Sequence, residues 1–301
     1  MKGQPDQKSG GKKGKGPRRP HELRARDALK LVADTLKGIG IPGAAGEARV
    51  ILRDGLGMDM IRIYRDDPPL SAIQLRKLNR ILARRKKREP LQYILGFVWF
   101  YGLRIRVGKG ALIPRPETET LVEEALGLAG SIKALKILDL CTGSGAIALA
   151  LARNLPDAEV LATDISSDAL RWAERNAREN AAKNVRFLKG DLFAPVEGAL
   201  FDIITANPPY ITDSMLATLE PEIVCWEPGL ALGGGPDGLD FVKRIISGAA
   251  AHLTHGGYLL IEVAAGTDPD LLASLSREAG LGMQALVRDL AGLERVFIAR
   301  K

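Results

Sequence analysis

The sequence predicts an α/β protein: a mostly parallel sheet with helices on both faces, preceded by a small helical domain. Three observations carry this expectation. From Glu117 onward, short apolar runs alternate with amphipathic stretches, the pattern of repeated strand–helix–strand units. A glycine turn, Gly143-Ser144-Gly145, joins one such run to Ala146-Ile-Ala-Leu-Ala-Leu-Ala152, a strong helix former. Between Pro20 and Leu95 the apolar residues recur instead at three- and four-residue spacing.

Taken in order, residues 1–20 form a tail rich in Gly, Lys and Pro, expected to be disordered because it has almost no apolar side chain to bury. Residues 1–26 carry nine Lys/Arg against two acids, while the rest of the chain holds 34 of each sign. The net charge of +7 therefore belongs to this end and the body is neutral. An electrostatic arm making weak contact with RNA or the ribosome is one reading of the tail; a solvated terminus is the favoured one.

Residues 21–95 are expected to form the helical domain. Ala25, Ala28, Leu29, Val32 and Leu36 mark a first helix, closed by Gly38-Ile-Gly-Ile-Pro42. Ala44 to Asp54 reads as a second, and Ser71 to Arg88 as a third with Ser71 as N-cap. The block Arg84-Arg-Lys-Lys-Arg88 reads as a patch for an acidic partner or nucleic acid, or, as is more usual for a charge run at a helix end, as a solvated face favoured by the dipole. Residues 96–112 change character: Phe97–Tyr101 and Leu103–Val107 around Gly102 predict a β-hairpin linker.

Residues 113–301 hold the sheet. Seven strands are expected at Lys136–Leu140, Glu159–Asp164, Val185–Lys189, Phe201–Ala206, Gly257–Val263, Met283–Val287 and Arg295–Ala299. Helices are expected at about 117–129, 145–154, 168–182, 239–254 and 268–279. No secretory h-region and no run of 18 apolar residues occurs, so a cytoplasmic protein without membrane contact is expected. Cys141 and Cys225 are far apart and the three histidines show no ligand spacing, which argues against a metal and a disulfide framework.

The chemistry-bearing residues fall at strand ends, where open α/β sheets bind ligands. Gly143 and Gly145 let a ligand approach the backbone. Asp164 ends the next strand and suits the two hydroxyls of a ribose. Asp191 follows the third, where it can accept from an exocyclic amine, with Leu192 and Phe193 packing a purine face. The fourth strand ends in Asn207-Pro208-Pro209-Tyr210. Two prolines stop the ladder and leave the Asn207 side chain and the Pro208 carbonyl as acceptors on a stiff turn. That arrangement suits a planar –NH2 group, an amide or an aminopurine. The glycine turn also matches a dinucleotide fingerprint through Gly143-x-Gly145-x-x-Ala148. A dehydrogenase has no need of Asn-Pro-Pro-Tyr, and no hydride-transfer pair stands out.

The turn Asp139–Gly145, Asp164, Asp191 and Asn207–Tyr210 together resemble the motif series of class I S-adenosylmethionine-dependent methyltransferases that modify planar nitrogens. Over nearly all of residues 21–300 the chain is similar to the HemK-type peptide chain release factor N5-glutamine methyltransferases. The markers are Glu89-Pro-Leu-Gln-Tyr-Ile-Leu-Gly96, Leu112-Ile-Pro-Arg-Pro-Glu-Thr-Glu119, Glu220-Pro-Glu with Trp226-Glu-Pro228, and Gly233-Gly-Gly-Pro-Asp-Gly-Leu239. Cys141 departs from the Gly of many relatives, and the basic tail lies outside the family pattern.

The resemblance implies a Rossmann-like class I methyltransferase domain and transfer of a methyl group to the side-chain amide of a glutamine, in a Gly-Gly-Gln context, of peptide chain release factors. It implies S-adenosylmethionine as donor and no metal. The cofactor-binding residues implied are Asp139, the backbone of Cys141, Thr142, Gly143, Ser144 and Gly145 at the methionine end, Asp164 at the ribose, Asp191 and Leu192 at the adenine, and Asn207. Asn207 and Pro208 receive the substrate amide, with Pro209 stiffening the turn and Tyr210 packing on the amide plane. The helical region 21–95 is the substrate-docking domain. Roles for Arg115 and Glu117 stay open between lining the site and capping a helix, and Trp99 and Trp226 are expected to be packing anchors. Sister readings are a glutamine methyltransferase of a large-subunit ribosomal protein, an adenine-N6 DNA or RNA methyltransferase, and a non-catalytic RNA- or ribosome-binding relative.

Overall fold

A computed structural model describes residues 22–130 and 134–301; the basic tail, residues 1–20, lies outside the described residues. The chain divides into two compact units, one ending at Lys86 and the other running Lys87–Lys301.

In the first unit, the helix Ala25–Gly38 buries Ala25, Ala28, Val32 and Leu36, the spacing that predicts it. Asp67 anchors its start by accepting from the Arg26 N–H (2.9 Å) and from Arg24 Nε (3.0 Å). The expected second helix is Ala44–Val50 continuing into a π-helical turn, Ile51–Gly55. Ser71 caps the helix Ala72–Arg85 through a reciprocal pair: its Oγ accepts from the Gln74 N–H at 3.2 Å, and Gln74 Oε1 accepts from the Ser71 N–H at 2.9 Å. A further helix, Met60–Asp66, was not expected from the sequence; Asp59 caps it. Within the basic block, Lys86 and Lys87 are exposed but Arg85 is not. Arg85 is buried and holds Glu47 with both Nε and Nη2, at 2.6 and 3.1 Å.

In the second unit, Arg88 pairs with Glu222 (2.6 Å). A short helix, Leu91–Leu95, leads to the antiparallel hairpin β1 (Phe97–Phe100) and β2 (Leu103–Arg106). Tyr101 and Gly102 both take positive φ at its turn, which matches the twist of a two-residue hairpin. The main sheet contains β3 (Lys136–Leu140), β4 (Glu159–Asp164), β5 (Val185–Lys189), β6 (Phe201–Ala206), β7 (Leu253–Glu262), β8 (Gly282–Arg288) and β9 (Glu294–Arg300). Their order is β5-β4-β3-β6-β7-β9-β8, parallel through β7 and antiparallel at β9 and β8.

The pleat sorts side chains to two cores. Ile137 and Ile203 face one that also holds Leu121, Ile147, Leu149 and the hairpin's Phe100 and Ile105; Leu138, Leu140 and Ile204 face another with Ile245, Leu259 and Phe297. The hairpin is thus built into the first core rather than serving as a bare connector. The chain runs outward from β3 to β5 and returns to β6 on the other side of β3. This reversal opens a crevice at the carboxyl ends of β3 and β6. Among the described residues, no helix is long and apolar enough to cross a membrane.

Candidate active site

The turn after β3 is made by three residues with positive φ: Cys141 (55°), Gly143 (58°) and Gly145 (82°). The Thr142 N–H donates to Thr163 O (3.0 Å), and the Gly145 N–H donates back to Thr142 O (2.9 Å). Beneath it, the buried Asp139 carboxylate accepts from the Thr142 hydroxyl at 2.6 Å and the Thr205 hydroxyl at 2.8 Å. Burial pushes this carboxyl up to about 7, against the pull of its hydroxyl partners. Asp164, at the end of β4, accepts from the Gly143 N–H with one oxygen and the Ser166 N–H with the other, both at 2.8 Å. Burial still raises it above the ordinary carboxylate range.

A cavity of about 240 Å³ opens over these turns. Cys141, Thr142, Gly143, Ser144, Asp164, Asp191, Leu192, Asn207 and Pro209 line it, so four strand ends converge on one space. Four expected site residues do not line it. Asp139 lies under the turn with its oxygens spent on Thr142 and Thr205. Gly145 faces the helix Ser167–Glu179, where a Cβ would stand 3.1 Å from that of Ala173. Pro208 is buried, and Tyr210 turns its hydroxyl to Glu262 Oε1 at 3.0 Å. Phe193 is also absent from the lining: it stacks on His252, ring centroids 4.5 Å apart, and Phe241 takes the aromatic place in the cavity.

At the β6 end, Asn207 Nδ2 donates to Thr118 Oγ1 at 3.1 Å. This commits the amide's donor side and leaves Oδ1 as the polar end for the cavity. The stretch Gly233–Gly238 packs directly on the turn. A Cβ on Gly234 would stand 2.7 Å from Tyr210 Cα and 2.8 Å from Pro209 O, so glycine is needed for backbone to meet backbone. The Ile211 N–H donates to Leu232 O (3.0 Å) and the Gly234 N–H to Ile211 O (2.8 Å), stitching the two segments together.

The segment before Thr118 is held by one carboxylate. Glu227 is buried, accepts from the Ile113 N–H at 3.0 Å and pairs with Arg115. Glu117 is exposed in the 3-10 turn Pro116–Thr118, and Glu119 instead accepts from the Tyr101 N–H at 2.8 Å. Trp226 packs on the first core; Trp99 is 55% exposed and is no buried anchor. The Cys141 thiol is pushed well above its usual range by burial and by Asp164, so it stays neutral.

Several lining residues were not expected from the sequence. Ile165, Leu230 and Phe241 supply apolar wall. Arg244 reaches Asp191 at 2.6 Å. Ile165 was open to detection, being a large apolar residue directly after a strand-ending acid; Arg244 has no local signal, because its partner lies 53 residues away.

The sheet order and the four converging turns define the class: a class I methyltransferase fold. Residues 118–226 match the Methyltransferase small domain and residues 27–96 the PrmC N-terminal domain. The solved methyltransferase from Pyrococcus furiosus has the same fold at 20% identity, with TM-score 0.51, covering 66% of this chain and 89% of that one. A release factor glutamine methyltransferase of Thermodesulfovibrio yellowstonii is 41% identical over 257 residues, 85% of this chain and 92% of its own. One from Geobacter sulfurreducens is 40% identical over 277 residues, 90% and 96% of the two chains. The chain belongs to the release factor glutamine methyltransferase family.

Proposed function

We propose that this protein methylates the side-chain amide nitrogen of a glutamine, in a Gly-Gly-Gln context, in peptide chain release factors, acting in the cytoplasm. The observation that carries the reading is the fixed polarity of Asn207: Thr118 takes its N–H, and its oxygen is left for the cavity.

The cavity fits S-adenosylmethionine. Two carboxylates, Asp164 and Asp191, stand at successive strand ends between the apolar walls of Ile165, Leu192 and Phe241, and a glycine backbone lies beside them. Asp164 is suited to the ribose hydroxyls, Asp191 and Leu192 to the adenine, and Thr142–Ser144 to the methionine end. When bound, the cofactor supplies an electrophilic methyl group on a sulfonium.

The chain's own residues do the rest. An amide nitrogen is a poor nucleophile because its lone pair is conjugated with the carbonyl, the resonance behind the roughly 18–20 kcal/mol peptide rotation barrier. As the lone pair leaves conjugation, the two N–H bonds become more acidic. Acceptors aimed at them then bind more tightly than in the ground state. Asn207 Oδ1, on the cavity wall, is such an acceptor; the Pro208 carbonyl expected beside it belongs to a buried residue outside the lining. The two prolines that follow Asn207 keep the turn from relaxing away. Tyr210, fixed by Glu262, shapes the turn on which the amide plane rests. No strong base is required, since an alkylated amide nitrogen loses its proton readily.

The test is transfer of labelled methyl to a purified release factor and, separately, to a large-subunit ribosomal protein. Label on the release factor is expected; label on the ribosomal protein alone would overturn the assignment.

A further inference from the structure

We infer that Glu262 is a positioning residue for this reaction: from the end of β7 it fixes Tyr210 directly and sets the polarity of Asn207 through Thr118. The inference rests on the reading of Asn207 as the amide acceptor.

Glu262 is 1% exposed, on the strand next to the one whose end carries Asn207. Its Oε1 accepts from the Tyr210 hydroxyl. Its Oε2 is buried with no hydrogen-bond partner, the one side-chain atom of that kind among the described residues. An unpaired buried carboxylate oxygen is costly, so what it faces matters. Thr118, itself 3% exposed, lies close enough to ease the charge on Glu262, as Tyr210 does; Arg295 acts in the same sense and Glu117 against it. The Thr118 oxygen already accepts from Asn207 Nδ2. Its proton therefore remains to be given, and the orphan oxygen of Glu262 is the acceptor at hand.

This fixes a direction. With its proton on Glu262, Thr118 can only accept from Asn207, which turns Oδ1 to the cavity. Without that acceptor, the hydroxyl is free to donate to Oδ1. The amide then flips and presents an –NH2 group to an incoming –NH2 group. Glu262 does not line the cavity; it acts through Thr118 and Tyr210.

The test measures kcat, KM for a release factor, and cofactor Kd by calorimetry, on the full chain. Glu262→Gln and Thr118→Val are each expected to lower kcat about 10- to 100-fold, the usual loss when a supporting shell is removed. Cofactor Kd and acceptor KM should hardly move, Thr118→Ser should keep turnover, and the double variant should lose no more than the worse single. Wild-type kcat in Thr118→Val beside an inactive Asn207→Ala overturns the inference, as does equal loss in Thr118→Ser and Thr118→Val. Should Glu262→Gln not fold, the two Thr118 variants decide alone. If Asn207→Ala retains full turnover, it is the acceptor reading that falls.

Discussion

The glycine turn after β3 and the Asn207–Tyr210 turn after β6 face the same cavity but are held by opposite means. At the glycine turn, Asp164 holds backbone by taking the Gly143 N–H, and Asp139, beneath the turn and away from the cavity, braces it through the Thr142 hydroxyl. Such a surface follows the shape of a ligand and asks little of its chemistry. At the β6 turn, side chains hold side chains, Thr118 on Asn207 and Glu262 on Tyr210, while the prolines remove the backbone donors. That surface has a defined polarity. The difference assigns general binding to one turn and selection of the reacting group to the other.

The comparison breaks most visibly at Asn207. Asn207→Ala is expected to lower kcat by about 10²–10³, the cost of losing one preorganised partner of the transition state, with little change in cofactor Kd. Asp164→Asn should do the reverse. It should weaken cofactor binding by about 1.5–3 kcal/mol, the range for hydrogen bonds to a charged group, while kcat at saturating donor holds. A shared loss of kcat and affinity in both variants would erase the division. Gly234→Ala sharpens it from behind: the added methyl meets Pro209 and Tyr210 backbone, so thermal melts should show about 1–3 kcal/mol of destabilisation together with lower kcat.

The last expected effect, on stability rather than turnover, concerns Asp139. Its folded value, about 7, lies above the unfolded value of about 3.9, so the folded chain binds the proton more tightly. Its contribution to stability is therefore full below about pH 4, declines as pH rises, and is gone above about pH 7. Melting temperatures of wild type relative to Asp139→Asn should fall between about pH 4 and pH 7; a constant gap would show that Asp139 does not titrate there.

Much of this was legible in the sequence. The strands β3, β4 and β6 are mostly apolar runs and β5 a mixed one, all closed by Gly, Asp or Pro at or within three residues of their ends, and their ranges follow from that pattern. Local chemistry also revealed the Ser71 cap. The helix Met60–Asp66 escaped because it buries only Ile63 and leaves Ile61 and Tyr64 exposed, so no apolar stripe shows. The direction of Phe193 was hidden for a different reason: four residues beyond the end of β5, the turn alone decides whether a ring meets the ligand or the core. Glu262, Arg244 and Glu227 reach their partners across 52, 53 and more than a hundred residues, and only the sheet order brings those pairs together.

The two prolines have a consequence for observation. Of the four residues Asn207–Tyr210, two carry no amide proton, so hydrogen exchange and backbone resonances see the turn only at its margins. The Asn207 carboxamide protons, one of them shared with Thr118, are the natural reporters there. Their slow exchange with solvent, or its loss in a variant, would register the state of the turn when the backbone is silent.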